Sequence, residues 1–354
     1  MDTIISVDAM GGDRGPEAVV EGVSRAAASS PGIHFLIHGD SEVLNECLRR
    51  HRRLGDRCTV RHSEAVVSMS ERPSQAVRHG KGSSMWAAVD SVKRGDASAV
   101  VSCGNTGALM AISLLLLKKA PGIHRPAIAC LWPSYNEHGF NILLDVGADI
   151  KADEEDLFKY GLLGAAYAKT GLGVAYPRVG LLNVGTESFK GRSEIQAADK
   201  LMDQRQFDGE YSYVGFVEGS DIPSNRVDVI VTDGFTGNIV IKSVEGAASL
   251  IRAFLKDAFR HTMLSRLGGV FAITSIRRLF KRIDPRRANG GVFLGLNGTV
   301  VKSHGSADPI AVEAAIEFAG KLAKSHVTSG VVTELSSKGQ RTGTASIEPG
   351  ANTA

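Results

Sequence analysis

Two Gly-x-Thr-Gly turns in this sequence have residue types that suit the binding of an anion. One spans residues 104–107 and the other spans 234–237, and each lies between an apolar β-branched run and an apolar stretch with helical spacing. A strand, a glycine turn and a helix in that order present backbone N–H groups and a helix N-terminus to a negative charge. Either turn alone would equally suit a tight turn with positive φ. Together they predict two walls of one cleft.

Polar side chains follow the same predicted strands and extend this candidate site. Asp233 follows the run at 227–231, and Asn183 and Lys190 follow another at 179–182. The candidate site residues are Gly104, Asn105, Thr106, Gly107, Asn183, Thr186, Lys190, Asp233, Gly234, Thr236, Gly237, Asn238, Asn297, Lys302 and His304. Some have a structural alternative, because Asp233 and Asn238 also suit helix capping. Asn183 equally suits the satisfaction of backbone groups at the end of its strand, and His304 equally suits a structural role in its loop.

Buried apolar strands alternate with helices along the chain, which predicts a doubly wound, Rossmann-like α/β sheet that is mostly parallel. The runs at 125–131 and 140–147 flank a polar turn at 135–139, so an antiparallel hairpin joins this sheet. No Gly-x-Gly-x-x-Gly follows the first strand, and no Gly-x-x-x-x-Gly-Lys-Ser/Thr loop occurs. Dinucleotide and P-loop nucleotide binding are therefore not indicated.

The 354 residues are enough for one large domain, predicted over 1–334, followed by a disordered tail over 335–354 that is rich in Ser, Gly and Thr. The four cysteines have neither paired nor metal-ligand spacing, which predicts free thiols in a reducing compartment. No carboxylate or histidine cluster has metal spacing, so neither a metal nor a cofactor is expected. The chain shows no secretory leader or spanning segment, which predicts a cytoplasmic protein unless it lies on a membrane surface.

Basic charge is concentrated in one segment, residues 250–287. It contains ten Lys/Arg and two aspartates, so it carries +8 while the net charge of the whole chain is +3. This local concentration argues against general nucleic-acid binding. Apolar residues share one helical face on each side of Gly268 and Gly269, which predicts two amphipathic helices hinged at the glycine pair. Such a hairpin suits an anionic membrane surface or a dimer or core interface with a solvated basic side.

With these residues in place, the chain resembles the bacterial phosphate acyltransferases that make acyl phosphates for phospholipid synthesis. Seven motifs carry the resemblance, in family order over about nine-tenths of the chain. They lie at 7–13, 104–108, 144–148, 182–187 with 190–191, 216–219, 231–238, and 295–302 with 303–305. The family often has a small residue at the position of Cys103, which argues against this thiol as a nucleophile.

The resemblance implies a fold like that of phosphotransacetylases and isocitrate-type dehydrogenases, in a homodimer. It also implies transfer of a fatty acyl group from acyl carrier protein to inorganic phosphate, giving acyl phosphate for phosphatidic acid synthesis. A membrane glycerol-3-phosphate acyltransferase would then use the product. Peripheral association with the inner face of the cell membrane, through the hairpin, is implied as well.

Phosphate is itself a nucleophile, so this chemistry requires positioning and charge stabilisation but no covalent enzyme intermediate. We expect phosphate between the two turns, with Lys190 supplying charge, aided by Lys302 or His304. Asp233 is predicted to position a group or to move a proton to the departing thiol. Asn183 and Asn238 are predicted to donate hydrogen bonds to the thioester oxygen.

Three other functions remain open from the sequence. A phosphotransacetylase would use acyl-CoA in place of the carrier thioester. A nicotinamide-dependent dehydrogenase of the same fold would need clustered aspartates and arginines, and only Asp145 and Asp149 form a near-pair. A non-catalytic membrane scaffold would explain the basic segment but not the glycine turns.

Overall fold

The computed structural model describes residues 3–205, 211–283 and 290–325, with only the backbone described at 52–53, 269 and 277–283. The predicted tail at 335–354 and the end of the basic segment at 284–287 lie outside the described residues. In the described residues, eleven strands form one sheet in the order β3-β2-β1-β4-β11-β10-β5-β6-β9-β7-β8. The strands are β1 (Thr3–Asp8), β2 (Ile33–Gly39), β3 (Cys58–His62), β4 (Ala99–Ser102), β5 (Ala127–Pro133), β6 (Phe140–Leu144), β7 (Arg178–Leu182), β8 (Ser212–Val217), β9 (Val229–Val231), β10 (Gly291–Leu294) and β11 (Thr299–Lys302).

Helices connect these strands and cover both faces of the sheet. They are α1 (Gly15–Ser29), α2 (Ser41–Arg49), α3 (Pro73–His79), α4 (Ser84–Lys93), α5 (Thr106–Leu117), α6 (Glu154–Leu172), α7 (Ser193–Gln204), α8 (Gly234–Ala258), α9 (Met263–Ile283) and α10 (Pro309–Lys324). Several begin with a short polar side chain that accepts a backbone N–H of the first turn. For α2 this residue is Asp40, whose side chain accepts hydrogen bonds from Glu42 N and Val43 N.

Strand residues alternate between two apolar layers, which fixes the register of the sheet. In β4, Ala99 and Val101 pack in one layer with α1 and α10, and Val100 packs in the other with α4 and α5. The buried Ser6 of β1 donates a hydrogen bond of 2.9 Å to Ala88 O of α4, so its hydroxyl is satisfied where it faces a helix. The mostly parallel, doubly wound α/β fold is confirmed.

The predicted hairpin is also confirmed, because β5 pairs antiparallel with β6. The strand β10 is antiparallel to both β11 and β5, so β11 and β5 run in the same direction. The antiparallel pairing of β5 with β6 then reverses the direction, so the two parallel parts of the sheet run in opposite directions. The turns after β4 and β9 therefore follow strands of opposite direction, with four strands between them. At about 4.8 Å per strand, the turns are roughly 24 Å apart across the sheet.

The predicted hinge of the basic segment is in a different place. Helix α8 runs without a break from Gly234 through residue 250 to Ala258, and α9 begins at Met263, so Gly268 and Gly269 lie inside a helix. Two glycines lower the stability of this helix by about 2 kcal/mol. The helix nevertheless starts before them, next to Thr262, whose Oγ1 accepts a hydrogen bond from Ser265 N at 3.0 Å. The side chains of Arg277, Arg278, Lys281 and Arg282 lie outside the described set.

Apolar side chains of these two helices are uncovered in the single chain. Phe254 is 65% exposed and Phe271 is 80% exposed. Neither helix can span a membrane: among the described residues, no helix is both long enough and apolar enough.

Candidate active site

The turn after β9, residues 233–238, is built around the N-terminus of α8. Asp233 caps this helix, its Oδ1 accepting Thr236 N at 2.7 Å. The two glycines are needed for close packing, because a Cβ on Gly237 would lie 1.9 Å from Asp145 O and one on Gly234 would lie 2.6 Å from Asp145 Oδ2. The helix start is therefore pressed against the loop at 145–149.

We expect Gly237→Ala to lower the free energy of unfolding by about 2 to 3 kcal/mol, because the new methyl group overlaps a backbone carbonyl. Gly246→Ala, in the same helix with nothing within 4 Å of a Cβ, is the matched control. It should be neutral or stabilising by up to about 1 kcal/mol. Urea denaturation of both variants measures the difference, and equal stabilities would contradict the close packing.

The loop at 145–149 is ordered by the buried carboxylate of Asp145. Its oxygens accept the backbone N–H groups of Ile128 at 2.8 Å and Asp149 at 2.7 Å, as well as that of Ala148. Burial raises the pKa of Asp145 to about 6, against the effect of these donors. Asp149 O in turn accepts Gly234 N at 2.8 Å, which joins the loop to α8.

A second loop, residues 183–192, approaches the same helix start. The side chain of Asn183 donates to Lys190 O at 3.1 Å. Gly191 has a φ of +89°, and a Cβ there would lie 2.2 Å from Asn183 Oδ1, so only glycine fits this approach. Asn183 thus supports the loop that carries Lys190.

Lys190 and Arg192 place two positive charges on this loop. Lys190 Nζ lies 2.9 Å from Glu187 Oε1, and Arg192 forms an ion pair with Asp233 Oδ2. Burial would raise the pKa of Asp233, but the hydrogen bonds from Thr236 and the pairing with Arg192 outweigh it, and the pKa lies below its ordinary value. An ionised carboxylate with both oxygens engaged is a poor proton shuttle, so of the two roles predicted for Asp233 this geometry favours the positioning of a group.

Sequence reasoning did not select Arg192. It lies two residues after Lys190, directly before α7, and is 56% exposed at its side chain. A basic residue so close to a candidate anion ligand was the available signal. The partner of Arg192 is 41 residues further along the chain, which local spacing does not reveal.

The mouth of this site combines the polar groups with exposed apolar side chains. Val184 is 80% exposed, Phe189 74% and Phe235 56%, and each adjoins a candidate polar residue in sequence. Thr186 is also exposed, while Asn238 is partly buried against Gly147. Cationic groups beside apolar ones suit a substrate that has a negative head and an aliphatic chain.

The residues of the turn after β4 make contacts that hold the turn against its neighbours. Asn105 Oδ1 caps α5 by accepting Ala108 N at 3.0 Å, and its Nδ2 donates to Met69 O and Glu71 O. A Cβ on Gly104 would lie 2.4 Å from Met85 Cε, and one on Gly107 would lie 2.8 Å from Pro73 Cγ. Both N–H groups of the Asn105 side-chain amide are thus used within the fold, and its predicted part in anion binding rests on the backbone N–H groups of the turn.

The two glycine turns follow strands that are separated by four other strands in the sheet. About 24 Å separate them across the sheet, whereas a phosphate ion reaches hydrogen-bond partners only about 3 Å away. This separation does not favour phosphate held by both turns at once, and the predicted site between them stays a prediction. A long thioester substrate could still contact both.

Lys302 and His304 lie near the turn after β4. Lys302 Nζ donates hydrogen bonds to Cys103 O at 3.4 Å and to Ser303 O. The neighbouring carboxylate of Asp8 accepts hydrogen bonds from Ser84 Oγ at 2.6 Å and Ser102 Oγ at 2.7 Å. His304 Nδ1 contacts Ser306 Oγ at 2.8 Å. The bonds of Lys302 and Asp8 tie together the ends of β1, β4 and β11, and the bond of His304 lies within its own loop.

Asn297 lies at the other end of β11, in the turn from β10. Its Nδ2 donates to Lys119 O at 3.0 Å, and its backbone N–H donates to Lys118 O at 3.1 Å. Asn297 and Lys302 therefore do not share a pocket, and the side chain of Asn297 fixes a turn.

Burial lowers the pKa of Lys302 to about 8. Because this folded-state pKa lies below that of an unfolded lysine, the group stabilises the fold increasingly as pH rises from about 8 to about 10.5. Relative to Lys302→Met, the wild-type protein should gain roughly 2 to 3 kcal/mol between pH 7 and pH 10. Denaturant titrations of both proteins at the two pH values check this, and a constant difference would contradict a neutralised Lys302.

The cysteines give no support for covalent catalysis. All four are free thiols, and burial raises the pKa of Cys103 to about 11. The thiolate is the nucleophilic form, so Cys103 is unreactive near neutral pH. Among the described residues, no group of three or more His, Cys, Asp or Glu is placed to hold a metal ion.

Comparison with known proteins extends these observations. A family model described as fatty acid synthesis protein matches residues 3–330. A phosphate acyltransferase of Cereibacter sphaeroides is 57% identical over 337 residues, covering 95% of this chain and 92% of the relative. One from Dinoroseobacter shibae is 57% identical over 347 residues, covering 98% and 90%. A phosphotransacetylase from Streptococcus pyogenes has a similar fold, with a TM-score of 0.58, 18% identity, and coverage of 91% of this chain and 94% of that one.

Proposed function

This chain belongs to the fatty acid synthesis protein family, together with the phosphate acyltransferases it matches, and we propose that its acyl donor is an acyl carrier protein thioester. Acyl transfer to phosphate requires an anion site, an approach for the acyl group and a positioned thioester carbonyl. The observation that carries the proposal is the cluster at the start of α8. It joins Lys190 and Arg192 to an exposed apolar mouth.

In the proposed reaction, phosphate binds beside Lys190 at the N-terminus of α8, where the helix dipole favours an anion. A phosphate oxygen attacks the thioester carbonyl carbon and forms a C–O bond. The C–S bond then breaks, and the thiolate leaves with the electron pair and takes up a proton from solvent. The products are acyl phosphate and the free carrier thiol.

Each residue of the cluster has a distinct part in this proposal. Lys190 stabilises the phosphate charge, and Asn238 donates to the oxygen of the thioester as negative charge develops on it. Asn183 and Asp233 are positioning residues: the first holds the Lys190 loop, and the second fixes Arg192 against α8. Thr236 and Thr186 stand beside the bound phosphate.

The proposal extends to the assembly and location of the protein. Homodimer formation and peripheral binding to the inner face of the cell membrane would both use uncovered apolar side chains of α8 and α9. The product is a reactive acid anhydride, so a membrane glycerol-3-phosphate acyltransferase close by would use it for phosphatidic acid synthesis.

The test is incubation of the protein with long-chain acyl carrier protein and labelled inorganic phosphate. Labelled acyl phosphate and an equal amount of free carrier thiol are expected. Turnover of acyl-CoA with no reaction of the carrier thioester would assign the protein to a CoA-dependent reaction. Vesicle binding without turnover of either donor would instead favour a scaffold.

A further inference from the structure

An open groove of about 660 Å³ lies where α5 meets the loop at 118–126. Leu114 and Leu115 of α5 form its floor together with Pro126. Leu115 is 51% exposed although it belongs to an otherwise buried helix. The volume is in the range of ligand-binding clefts, and the floor is apolar.

Basic side chains form the rim of this groove. Lys118, Lys119, His124 and Arg125 all line it. Lys119 Nζ is held by His124 O at 2.9 Å, and Arg125 pairs with Asp149 at 2.5 Å. Among the described residues, Lys118 and His124 have no side-chain hydrogen bond or ion pair, so their polar ends remain free for a partner.

Lys118 also has an unusual backbone. Its φ is 63°, and it is the one non-glycine residue with positive φ in the described part of the chain. That region of φ favours glycine, and a lysine there is strained. The turn is maintained by Lys118 O, which accepts Asn297 N, and by the pairing of Lys119 with Leu296. A lysine whose backbone is held in a strained conformation suggests that its side chain has a function.

Two short contacts connect the edge of the groove to the candidate active site. Arg125 on the rim binds Asp149, and Asp149 O accepts Gly234 N at the start of α8. A partner seated in the groove therefore lies beside the entrance to the phosphate site. Val146 and Ala148 of the connecting loop pack against the same apolar cluster as Leu114.

We propose that this groove is the docking surface for the acyl carrier protein, which places an acidic amphipathic helix on it. An apolar floor between basic edges complements the apolar stripe and acidic flanks of such a helix. The inference rests on the proposed function, because it names the surface that receives the donor of that reaction.

Three variants test the groove through equilibrium binding of the holo-carrier, which needs no turnover. Lys118→Gly keeps the turn and relieves its strain, so the melting temperature should stay equal or rise while carrier binding weakens about fivefold. Lys118→Glu and Leu115→Glu should each weaken binding at least about tenfold at low salt. The loss for Lys118→Glu should shrink as salt screens the charges. Lys324→Glu on α10, which packs on the other face of the sheet, is the matched control and should leave binding unchanged.

Turnover of a carrier-free donor separates this proposal from the proposed function. With acyl-pantetheine, all four variants should form acyl phosphate at the wild-type rate. Unchanged carrier binding in Lys118→Glu and Leu115→Glu would overturn the docking surface even if acyl phosphate is formed. If the variants lose binding to anionic vesicles but keep binding to the carrier, the docking surface is also overturned and the groove is identified as a membrane contact. If the variants lose carrier binding and the wild-type protein forms no acyl phosphate, the docking surface is supported and the proposed reaction is rejected.

Discussion

Replacing Lys190 with alanine is expected to raise the KM for inorganic phosphate roughly 10- to 100-fold while changing kcat much less. A charge-assisted hydrogen bond to a dianion contributes about 1.5 to 3 kcal/mol, and a bond present in both ground state and transition state affects mainly KM. The ammonium group lies on the loop that Asn183 and Gly191 hold beside α8. Initial rates over a range of phosphate concentrations, at saturating acyl donor, measure the effect.

Two comparisons make the Lys190 result specific. Lys200→Ala removes an exposed charge on the neighbouring helix α7 and should leave the phosphate KM unchanged. Lys190→Arg keeps the charge and should recover part of the lost affinity. A normal phosphate KM in Lys190→Ala would remove Lys190 from the phosphate site.

Replacing Asp233 with alanine should lower kcat about 100-fold at saturating phosphate, because Arg192 and the start of α8 both lose their anchor. The same change removes a helix cap, which costs about 1 kcal/mol of stability. Asp233→Asn separates the two effects. It retains an oxygen that accepts Thr236 N but loses the charge that pairs with Arg192.

We therefore expect Asp233→Asn to keep most of the stability and still lose most of the kcat. In a double-mutant cycle with Arg192→Ala, the two losses should be strongly non-additive, since both changes break one ion pair. Additive losses, or a kcat in Asp233→Asn equal to that of the wild type, would show that the pair does not support turnover.

The sequence could predict those features that local pattern determines. The apolar runs and glycine turns indicated the strands, the helix starts and the mostly parallel sheet, and the turn at 135–139 indicated the hairpin of β5 and β6. The polar residues after β7 and β9 follow adjacent parallel strands, whose carboxyl ends lie at the same edge of the sheet. Asp233, Asn183 and Lys190 meet for that reason.

The sequence could not show the relative direction of distant strands. Three successive antiparallel pairings, β11 with β10, β10 with β5 and β5 with β6, make β4 and β9 run in opposite directions, and nothing in either Gly-x-Thr-Gly turn shows this. The partnership of Arg192 with Asp233 and the commitment of the Asn105 amide are likewise tertiary contacts. Gly268 and Gly269 suggested a hinge, but the hydrogen bond at Thr262 defines the helix start instead.

The location of bound phosphate is the most direct test of the account. Arsenate has the charge and geometry of phosphate, and its arsenic atom can be located by anomalous X-ray scattering from a soaked crystal. The account predicts one strong peak within hydrogen-bond distance of Lys190 Nζ, at the N-terminus of α8. A peak beside Lys302 and the turn at 104–107, with none near Lys190, would contradict it.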